Sequence, residues 1–236
     1  MFVGGSVISS VEFHGNMSLV IFMSGCPLTC RYCHNVELLD DTTEKSFEQI
    51  KEEIDSSADF LDAVVISGGE PLMQLDALIE IFTYVRQLGL KTKLDTSGIY
   101  PDRIKKLLDL KLLDFVSLDV KTTFSKYRKI TGSNVGFQVK KSMELIHADE
   151  NVRLEARTTY VPTLHTKKDI INLADELEAD IYTIQQFRNK NVLDPALEKV
   201  EVPNPHDLEK LAREIKPYFK GQVKVKSGEF GEQVIE

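Results

Sequence analysis

The stretch SLVIFMSGCPLTCRYCHN, residues 18–35, joins an apolar run directly to a loop that holds every cysteine of the chain. Its first six residues are almost all apolar and predict a buried strand. Cys26, Cys30 and Cys33 follow in the loop, and three thiols spaced this closely are a poor disulfide framework. A lone cluster of thiols at a strand end is instead typical of a metal or iron–sulfur site.

Outward from this stretch, apolar strand patterns alternate with helical patterns. Strands are predicted at residues 18–23, 63–67, 91–95, 115–118, 153–159, 180–185 and 223–225. Helices are predicted at residues 46–56, 75–88, 137–147, 166–177 and 204–218, with another beginning at Pro101. An extended segment, residues 7–13, is expected to pair at one edge of the sheet. Six or seven strand–helix units favour parallel strands but are too few for a closed eight-stranded barrel.

We therefore predict an α/β fold, a single-domain partial (β/α)6-type open barrel over residues 1–236 with its core at about 18–225. The sheet would be parallel, and the functional site would lie at the C-terminal ends of the strands. All the motifs described below follow successive predicted strands, so they are expected to share that face.

Composition and charge exclude several classes of protein. Apolar residues make up 42% and charged residues 28%, which is typical of a globular protein rather than a disordered one. No apolar run reaches the ~18 residues of a membrane span and the N-terminus lacks the order of a signal peptide, so we expect a cytoplasmic protein with no membrane partner. The net charge of −8 gives no electrostatic footprint for nucleic acid, and none is expected to bind.

A structural zinc ion is one explanation of the thiols. It would use the three cysteines and the adjacent His34 as ligands. Structural zinc usually takes two separated pairs of ligands, and a His next to Cys33 cannot easily complete a tetrahedron. Three thiolates on one loop can instead hold three irons of a four-iron cluster and leave the fourth iron open to an exchangeable ligand.

The spacing Cys-x3-Cys-x2-Cys, with Tyr32 just before the third cysteine, resembles the radical S-adenosylmethionine (radical SAM) superfamily. The resemblance implies that Cys26, Cys30 and Cys33 bind a 4Fe-4S cluster whose open iron is chelated by S-adenosyl-L-methionine (SAM). Reduction would then break the sulfonium bond of SAM and release a 5′-deoxyadenosyl radical. By the same resemblance, Tyr32 would lie against the adenine.

The sequence SGGEP, residues 67–71, follows the second predicted strand and resembles a SAM-binding motif of this superfamily. Gly68 and Gly69 would let the backbone approach a ligand closely, and Glu70 can accept a hydrogen bond from an ammonium group. The resemblance implies that these residues and Pro71 bind the amino group of SAM. Without the cysteine loop beside it, the same stretch would be explained equally well as a simple Gly-Gly turn.

Two acidic segments end the third and fourth predicted strands. Asp95 and Thr96 lie in the first segment, and Asp119 and Lys121 lie in the second. Both segments resemble those of the glycyl-radical-enzyme activases, a group within the superfamily. The resemblance implies that the two acids and Thr96 lie beside SAM and a monovalent cation held by hard oxygen ligands, and that Lys121 contacts SAM.

Arg157, in the fifth predicted strand, precedes Pro162 by the same five residues as an Arg that reaches SAM in those activases. Some activases carry a His near the sixth strand that touches the adenosyl group. This chain has Phe187 there, so no contact is assigned to the sixth strand.

The resemblance covers residues 19–187 and implies a radical SAM activase, an enzyme that abstracts a hydrogen atom from a backbone glycine of a partner glycyl radical enzyme. The short chain and the segment IQQF, residues 184–187, favour anaerobic ribonucleotide reductase as the partner over pyruvate formate-lyase. A flavodoxin- or ferredoxin-type protein would donate the electron. A radical SAM enzyme acting on a small molecule, such as a deazapurine synthase, and a non-catalytic metal-binding module are the alternatives.

Residues 120–143, called here the basic segment, contain six Lys or Arg residues and no Asp or Glu. In an acidic protein such a segment is usually a solvated loop and helix face. It is alternatively a docking surface for an acidic partner or for phosphate, beside the expected site.

Overall fold

The computed structural model describes all 236 residues, and a single sheet of nine strands runs through the chain. The strands are β1 (Val3–Ser9), β2 (Ser18–Met23), β3 (Ala63–Gly68), β4 (Lys91–Thr96), β5 (Phe115–Asp119), β6 (Arg153–Tyr160), β7 (Ile181–Gln186), β8 (Gln222–Ser227) and β9 (Gly231–Val234). Their order in the sheet is their order in the chain. β2 to β8 are parallel, while β1 and β9 pair antiparallel with their neighbours at the two edges.

Helices connect every pair of consecutive parallel strands. They are α1 (Phe47–Asp55), α2 (Leu75–Gln87), α3 (Pro101–Asp109), α4 (Tyr127–Thr131), α5 (Gly136–His147), α6 (Lys167–Glu176) and α7 (Pro205–Ile215). Their starts follow local chemistry. Ser46 and Gln49 form a capping box at α1, and Thr166 with Asp169 forms another at α6. None of the helices has the length and apolar character that crossing a bilayer would require.

The sheet remains open, because β1 and β9 pair only with β2 and β8. The predicted partial barrel is therefore confirmed: seven parallel strands in sequence order, with antiparallel edge strands in place of closure. Consecutive parallel strands need a crossover connection, and a helix-bearing crossover covers the outer face of the sheet.

The two edges differ from expectation. The N-terminal edge strand is β1, so residues 7–13 straddle its end and Val11 to Phe13 lie in a turn. Gly4 and Gly5 weakened the strand pattern there, although pairing with β2 continues around an irregularity at Val3/Gly5. β9 was not predicted, because four residues with little apolar character carry almost no strand signal.

Alternation along the strands separates an apolar outer face from a polar interior. Leu94, Val116, Leu118 and Leu154 belong to the main hydrophobic core. Their neighbours on β4, β5 and β6 are polar and buried, and they point to the opposite face. These polar neighbours are Lys93, Asp95, Ser117, Glu155 and Arg157.

The connection between β1 and β2 covers the N-terminal end of this polar interior. The Phe13 and Phe115 rings lie 5.2 Å apart, and Phe115 is the first residue of β5. The Glu12 carbonyl oxygen accepts a hydrogen bond from Lys93 Nζ at 2.8 Å, and its carboxylate pairs with Lys226. The opposite, C-terminal end of the sheet carries the motifs.

Candidate active site

The cysteine loop follows β2 and is held by backbone hydrogen bonds with two distant segments. Thr29 and Arg31 donate to the carbonyl oxygens of Thr131 and Ile130 in α4. Asp194 N donates to Arg31 O, and the Asp194 carboxylate pairs with the Arg31 guanidinium at 2.7 Å. These contacts fix the loop conformation, although the local sequence of the loop does not predict them.

The three thiols are free, and burial raises the pKa values of two of them. Desolvation raises the pKa of the Cys26 thiol to about 11 and raises that of Cys30 as well. Without metal, the Cys26 and Cys30 thiols are therefore protonated near neutral pH, and iron must displace those protons.

The arrangement does not suit a single metal ion. No three His, Cys, Asp or Glu side chains of the chain converge on a point that could hold one ion. His34 faces elsewhere, with Nδ1 at 3.2 Å from the carbonyl oxygen of Lys190. A cluster binds each thiolate to a different iron, so its ligands need not converge in this way. The loop therefore fits the iron–sulfur explanation better than the zinc explanation.

Gly68 and Gly69 pack the end of β3 against the start of the cysteine loop. A Cβ on Gly68, whose φ is +116°, would lie 2.3 Å from the carbonyl oxygen of Met23. A Cβ on Gly69 would lie 2.2 Å from the carbonyl oxygen of Gly25. The two glycines therefore allow close contact with the protein's own backbone. This contact places the SGGEP turn directly beside the cysteines.

The Glu70 side chain is fully buried and ties the ends of β3 and β4 together. Its carboxylate accepts hydrogen bonds from Leu72 N, from the Thr96 hydroxyl, and from both the backbone N–H and the hydroxyl of Ser97. Burial raises the pKa of Glu70, and these four donors oppose the rise. Pro71 then begins the short 3-10 turn that Glu70 caps.

Five charged side chains from β4, β5 and β6 form one continuous chain of ion pairs. The pairs are Lys93–Asp95 at 2.6 Å, Asp95–Arg157 at 3.1 Å, Arg157–Asp119 at 2.9 Å and Asp119–Lys121 at 2.9 Å. Side-chain exposure rises from 2% at Lys93 to 16% at Lys121, so the chain of pairs runs from the closed interior to the open end of the sheet.

This network sets the charge states of its carboxylates. Burial alone would raise the pKa of Asp119, but Arg157 and Lys121 outweigh it and hold that pKa well below its usual range. Burial opposes Arg157 and Lys93 in the same way at Asp95, where the pKa is again lowered. Both carboxylates are therefore ionised across the physiological pH range.

Tyr32 lies beneath Lys121, whose ammonium is 5.9 Å from the centre of the Tyr32 ring. The ring is buried with Phe187 and Ile130 in a second, smaller apolar cluster. Its hydroxyl is buried and has no hydrogen-bond partner within the protein. A buried polar group without a partner is costly, so this hydroxyl is suited to a bound molecule that supplies one.

Two residues that sequence reasoning missed hold the backbone of Lys121. His165 accepts a hydrogen bond from Val161 N at Nδ1, so its Nε2 carries the proton and donates to Lys121 O at 2.9 Å. The Tyr127 hydroxyl accepts from Lys121 N at 3.1 Å. Burial lowers the pKa of His165, which keeps the ring neutral. No sequence signal could have shown this, because His165 lies 44 residues from Lys121.

The structure thus brings the predicted residues of β3 to β6 to one end of the sheet, beside the cysteine loop. Residues 20–177 match the radical SAM superfamily. The chain belongs to the radical SAM superfamily. Its members use a 4Fe-4S cluster and SAM, so these cofactors apply to this chain, and the predicted resemblance is confirmed.

Relatives within the superfamily include activases. A protein of Methanocaldococcus jannaschii with the provisional name of glycyl-radical enzyme activating enzyme is 36% identical over 219 residues, covering 90% of each chain. The pyruvate formate-lyase-activating enzyme of Clostridium pasteurianum is 31% identical, covering 85% of this chain and 82% of its own. The prediction that this radical SAM enzyme belongs with the activases is confirmed by relationships that span nearly the whole chain.

Solved structures support the fold. SuiB of Streptococcus suis, solved with S-adenosylmethionine, has a TM-score of 0.69 at 19% identity, covering 88% of this chain and 49% of SuiB. TYW1, solved with a lysine–pyruvate adduct, has a TM-score of 0.67 at 13% identity, covering 94% of this chain and 81% of TYW1. At such low identity the likeness concerns the fold alone.

The expected monovalent cation does not fit the residues assigned to it. Lys93 and Arg157 bond the two carboxylate oxygens of Asp95, and Arg157 and Lys121 bond those of Asp119. The Thr96 hydroxyl donates to Glu70. The negative charge that would attract a cation is already balanced by basic groups of the protein itself.

Proposed function

We propose that this enzyme uses SAM to abstract a hydrogen atom from the Cα of a glycine in a partner glycyl radical enzyme. The observation that carries the proposal is the meeting of the three-cysteine loop with Lys121, Tyr32 and Arg157 at one end of an open sheet. The full-length relationship to proteins named as activases supports the same reaction. An open sheet suits a protein substrate, because a loop of the partner needs room to enter.

The roles of the chain's own residues follow from their contacts. Cys26, Cys30 and Cys33 would hold the cluster. Lys121, held at its backbone by His165 and Tyr127, would pair with the carboxylate of SAM. Tyr32, with its unpartnered hydroxyl, would contact the adenosyl part. We assign the remaining predicted contacts to the walls of the SAM site, namely Gly68, Gly69, Glu70, Pro71, Asp95, Thr96, Asp119 and Arg157.

When bound, the cofactors would supply all the radical chemistry, namely one-electron reductive cleavage of SAM and abstraction of a hydrogen atom from the glycine, with methionine and 5′-deoxyadenosine as the products. The protein orients SAM and excludes water, and no side chain needs to move a proton. The electron would come from a flavodoxin- or ferredoxin-type donor. Free thiols are suited to a reducing cytoplasm, where we place the enzyme.

The direct test is radical formation on a partner protein. Under anaerobic conditions, the reconstituted enzyme, SAM and a chemical reductant are expected to produce a glycyl radical and one 5′-deoxyadenosine per radical. Electron paramagnetic resonance measures the radical and chromatography measures the nucleoside. A partner variant with its radical glycine replaced by Ala is the matched control and should give no signal.

Two glycyl radical enzymes are candidates for the partner protein. The short chain favours anaerobic ribonucleotide reductase, whereas the relationship to the Clostridium pasteurianum enzyme favours pyruvate formate-lyase. Testing both proteins in parallel identifies the partner by which one acquires the radical. SAM cleavage that forms no radical on either protein would instead favour a small-molecule substrate and contradict the proposal.

More of the basic side chains in the basic segment form ion pairs than its sequence suggested. Lys121 pairs with Asp119, Lys126 with Asp169 and Lys141 with Asp102, so acids outside the segment balance half of its charges. The remaining three, Arg128, Lys129 and Lys140, are exposed, as is Phe137 at 77%. We propose that these residues form the docking surface for the partner enzyme.

Reversing those three charges together to Glu is expected to slow activation of the partner by about tenfold at low salt and to flatten its salt dependence. Exposed charges steer encounters over roughly 8 Å at physiological salt, so SAM cleavage without partner should stay unchanged. Both rates are measured on one preparation across a salt series.

The matched control reverses Lys106, Lys111 and Lys220, which are exposed and lie towards the opposite end of the sheet. It changes the net charge equally and should leave activation nearly intact. If both triple variants slow activation alike, net charge is responsible and the basic segment has no special role. A parallel loss of SAM cleavage would show damage to the fold instead.

A further inference from the structure

Lys93 is a buried ammonium group that the proposed reaction does not use. Only 2% of its side chain is exposed, and Nζ lies 2.6 Å from Asp95 Oδ1 and 2.8 Å from the carbonyl oxygen of Glu12. The Phe115 ring, 5.8 Å from Nζ, packs beside it. A lysine is almost never this buried unless its charge is balanced.

The positive charge of Lys93 balances the carboxylates that lie around it. Two carboxylates, Asp95 and Asp119, belong to the chain of ion pairs. A third, Glu155, is buried on β6 and accepts hydrogen bonds only from the hydroxyls of Ser117 and Thr183. Three basic groups face them, namely Lys93, Arg157 and Lys121. Glu70 stands apart, with four donors of its own. Counted together, these three carboxylates and three basic groups are neutral only while Lys93 is present.

We propose that the Lys93 ammonium takes the place of a dissociable monovalent cation beside Asp95, so that this enzyme binds SAM without needing Na⁺ or K⁺. The ammonium binds a carboxylate oxygen and a carbonyl oxygen, the same hard ligands that an alkali cation would choose. The ammonium is covalently attached to the chain, so placing it there does not carry the entropy cost of binding a free ion from solution. The second half of the proposal, concerning SAM, rests on the proposed function, whereas the first half concerns the protein alone.

The wild type supplies the first test. Its thermal unfolding is measured anaerobically in NaCl, KCl and tetramethylammonium chloride, whose cation is too large to sit between carboxylates. At one ionic strength, of about 0.1 M, the midpoint is expected to be the same in all three salts. A saturable rise in Na⁺ or K⁺ over tetramethylammonium would overturn the proposal, because it would reveal an ion bound despite Lys93.

Lys93→Met keeps the length of the side chain and removes its charge. This variant is expected to unfold at lower temperature in tetramethylammonium and to recover, saturably, in Na⁺ or K⁺. Lys224→Met is the matched control, since Lys224 is also a buried lysine of the sheet and pairs with Glu232 away from Asp95. It should lose stability equally in every salt. If Lys93→Met also responds to no cation, Lys93 is only a core ion pair.

A second variant covers a failure of Lys93→Met to fold. Lys93→Met with Asp95→Asn removes both charges, so it should fold in every salt and show no response to cations. A cation response in this double variant would contradict the assignment to Asp95. For SAM, Lys93→Met should bind about tenfold more weakly in tetramethylammonium and recover in K⁺. If stability responds to K⁺ but SAM binding does not, the cation-like role stands and the proposed SAM contact at Asp95 fails.

Discussion

Replacing Cys26, Cys30 or Cys33 singly with Ser is expected to abolish reductive cleavage of SAM. Each thiolate would hold one iron, and the chain has no other cysteine to substitute for a lost one. Anaerobically reconstituted wild type should contain about four irons and four sulfides per chain, with an electron paramagnetic resonance signal after reduction. Each variant should lose that signal together with SAM cleavage.

His34→Ala separates the cluster from the zinc alternative. His34 is next to Cys33 but lies against the carbonyl oxygen of Lys190, outside any shared metal site. This variant should therefore keep its iron, its sulfide and its SAM cleavage. Loss of metal from His34→Ala, or zinc without sulfide in the wild type, would contradict the three-cysteine assignment. So would iron equivalent to two clusters, because no thiols exist to hold a second.

Arg157→Met is expected to lower the free energy of unfolding by about 3–5 kcal/mol, the usual cost of removing one partner of a buried ion pair. Arg157 bridges Asp95 and Asp119, and about 10% of its side chain is exposed. Binding of SAM should weaken in the same variant, because both carboxylates lose the group that aligns them. Urea unfolding measures the stability. Arg153→Met, on the same strand but exposed and unpaired, is the control and should cost little.

The same pair of variants has a defined pH dependence. The pKa values of Asp95 and Asp119 are lowered in the folded protein, since Arg157 together with Lys93 at Asp95, and together with Lys121 at Asp119, outweighs the effect of burial. Their stabilising contribution is therefore complete above the unfolded pKa of about 3.9 and is lost as pH falls through the folded values. The stability difference between wild type and Arg157→Met should be largest above pH 5 or so and should shrink in acid. A difference that stays constant into acid would mean that packing, not charge, is what Arg157 contributes.

Local patterns predicted most of this architecture. The runs 18–23 and 63–67 coincide with β2 and β3 to within one residue, because a strand buried on both faces is a nearly continuous apolar run. The run 115–118 coincides with β5 equally well, although Ser117 interrupts its apolar residues. The short helix α4 and the edge strand β9 were missed, since neither has enough residues to show a period. Edge strands also need no apolar character on their outer side.

The sequence predicted where the site residues lie in the fold, but it did not predict which side chains they contact. The motifs after β2 to β6 were expected on one face, and the parallel sheet puts them there. The partners of Glu70 were not expected: its carboxylate is turned inward to Ser97 and Thr96, 26 or more residues away. Such pairings depend on which strands become neighbours and how far their ends extend, and no local pattern records either.

Residue type, spacing and order along the chain therefore sufficed for the cysteine loop, the parallel open sheet and the family, because each depends on interactions over a few residues or on short crossovers. Tertiary structure alone decided how charge is distributed. Lys126 and Lys141 of the basic segment pair with acids from other parts of the chain. Lys93, whose role its position in a predicted strand does not indicate, becomes a buried cation beside Asp95. The physical reason is that Coulomb interactions depend on distance and burial, both of which the fold sets after the strands have paired.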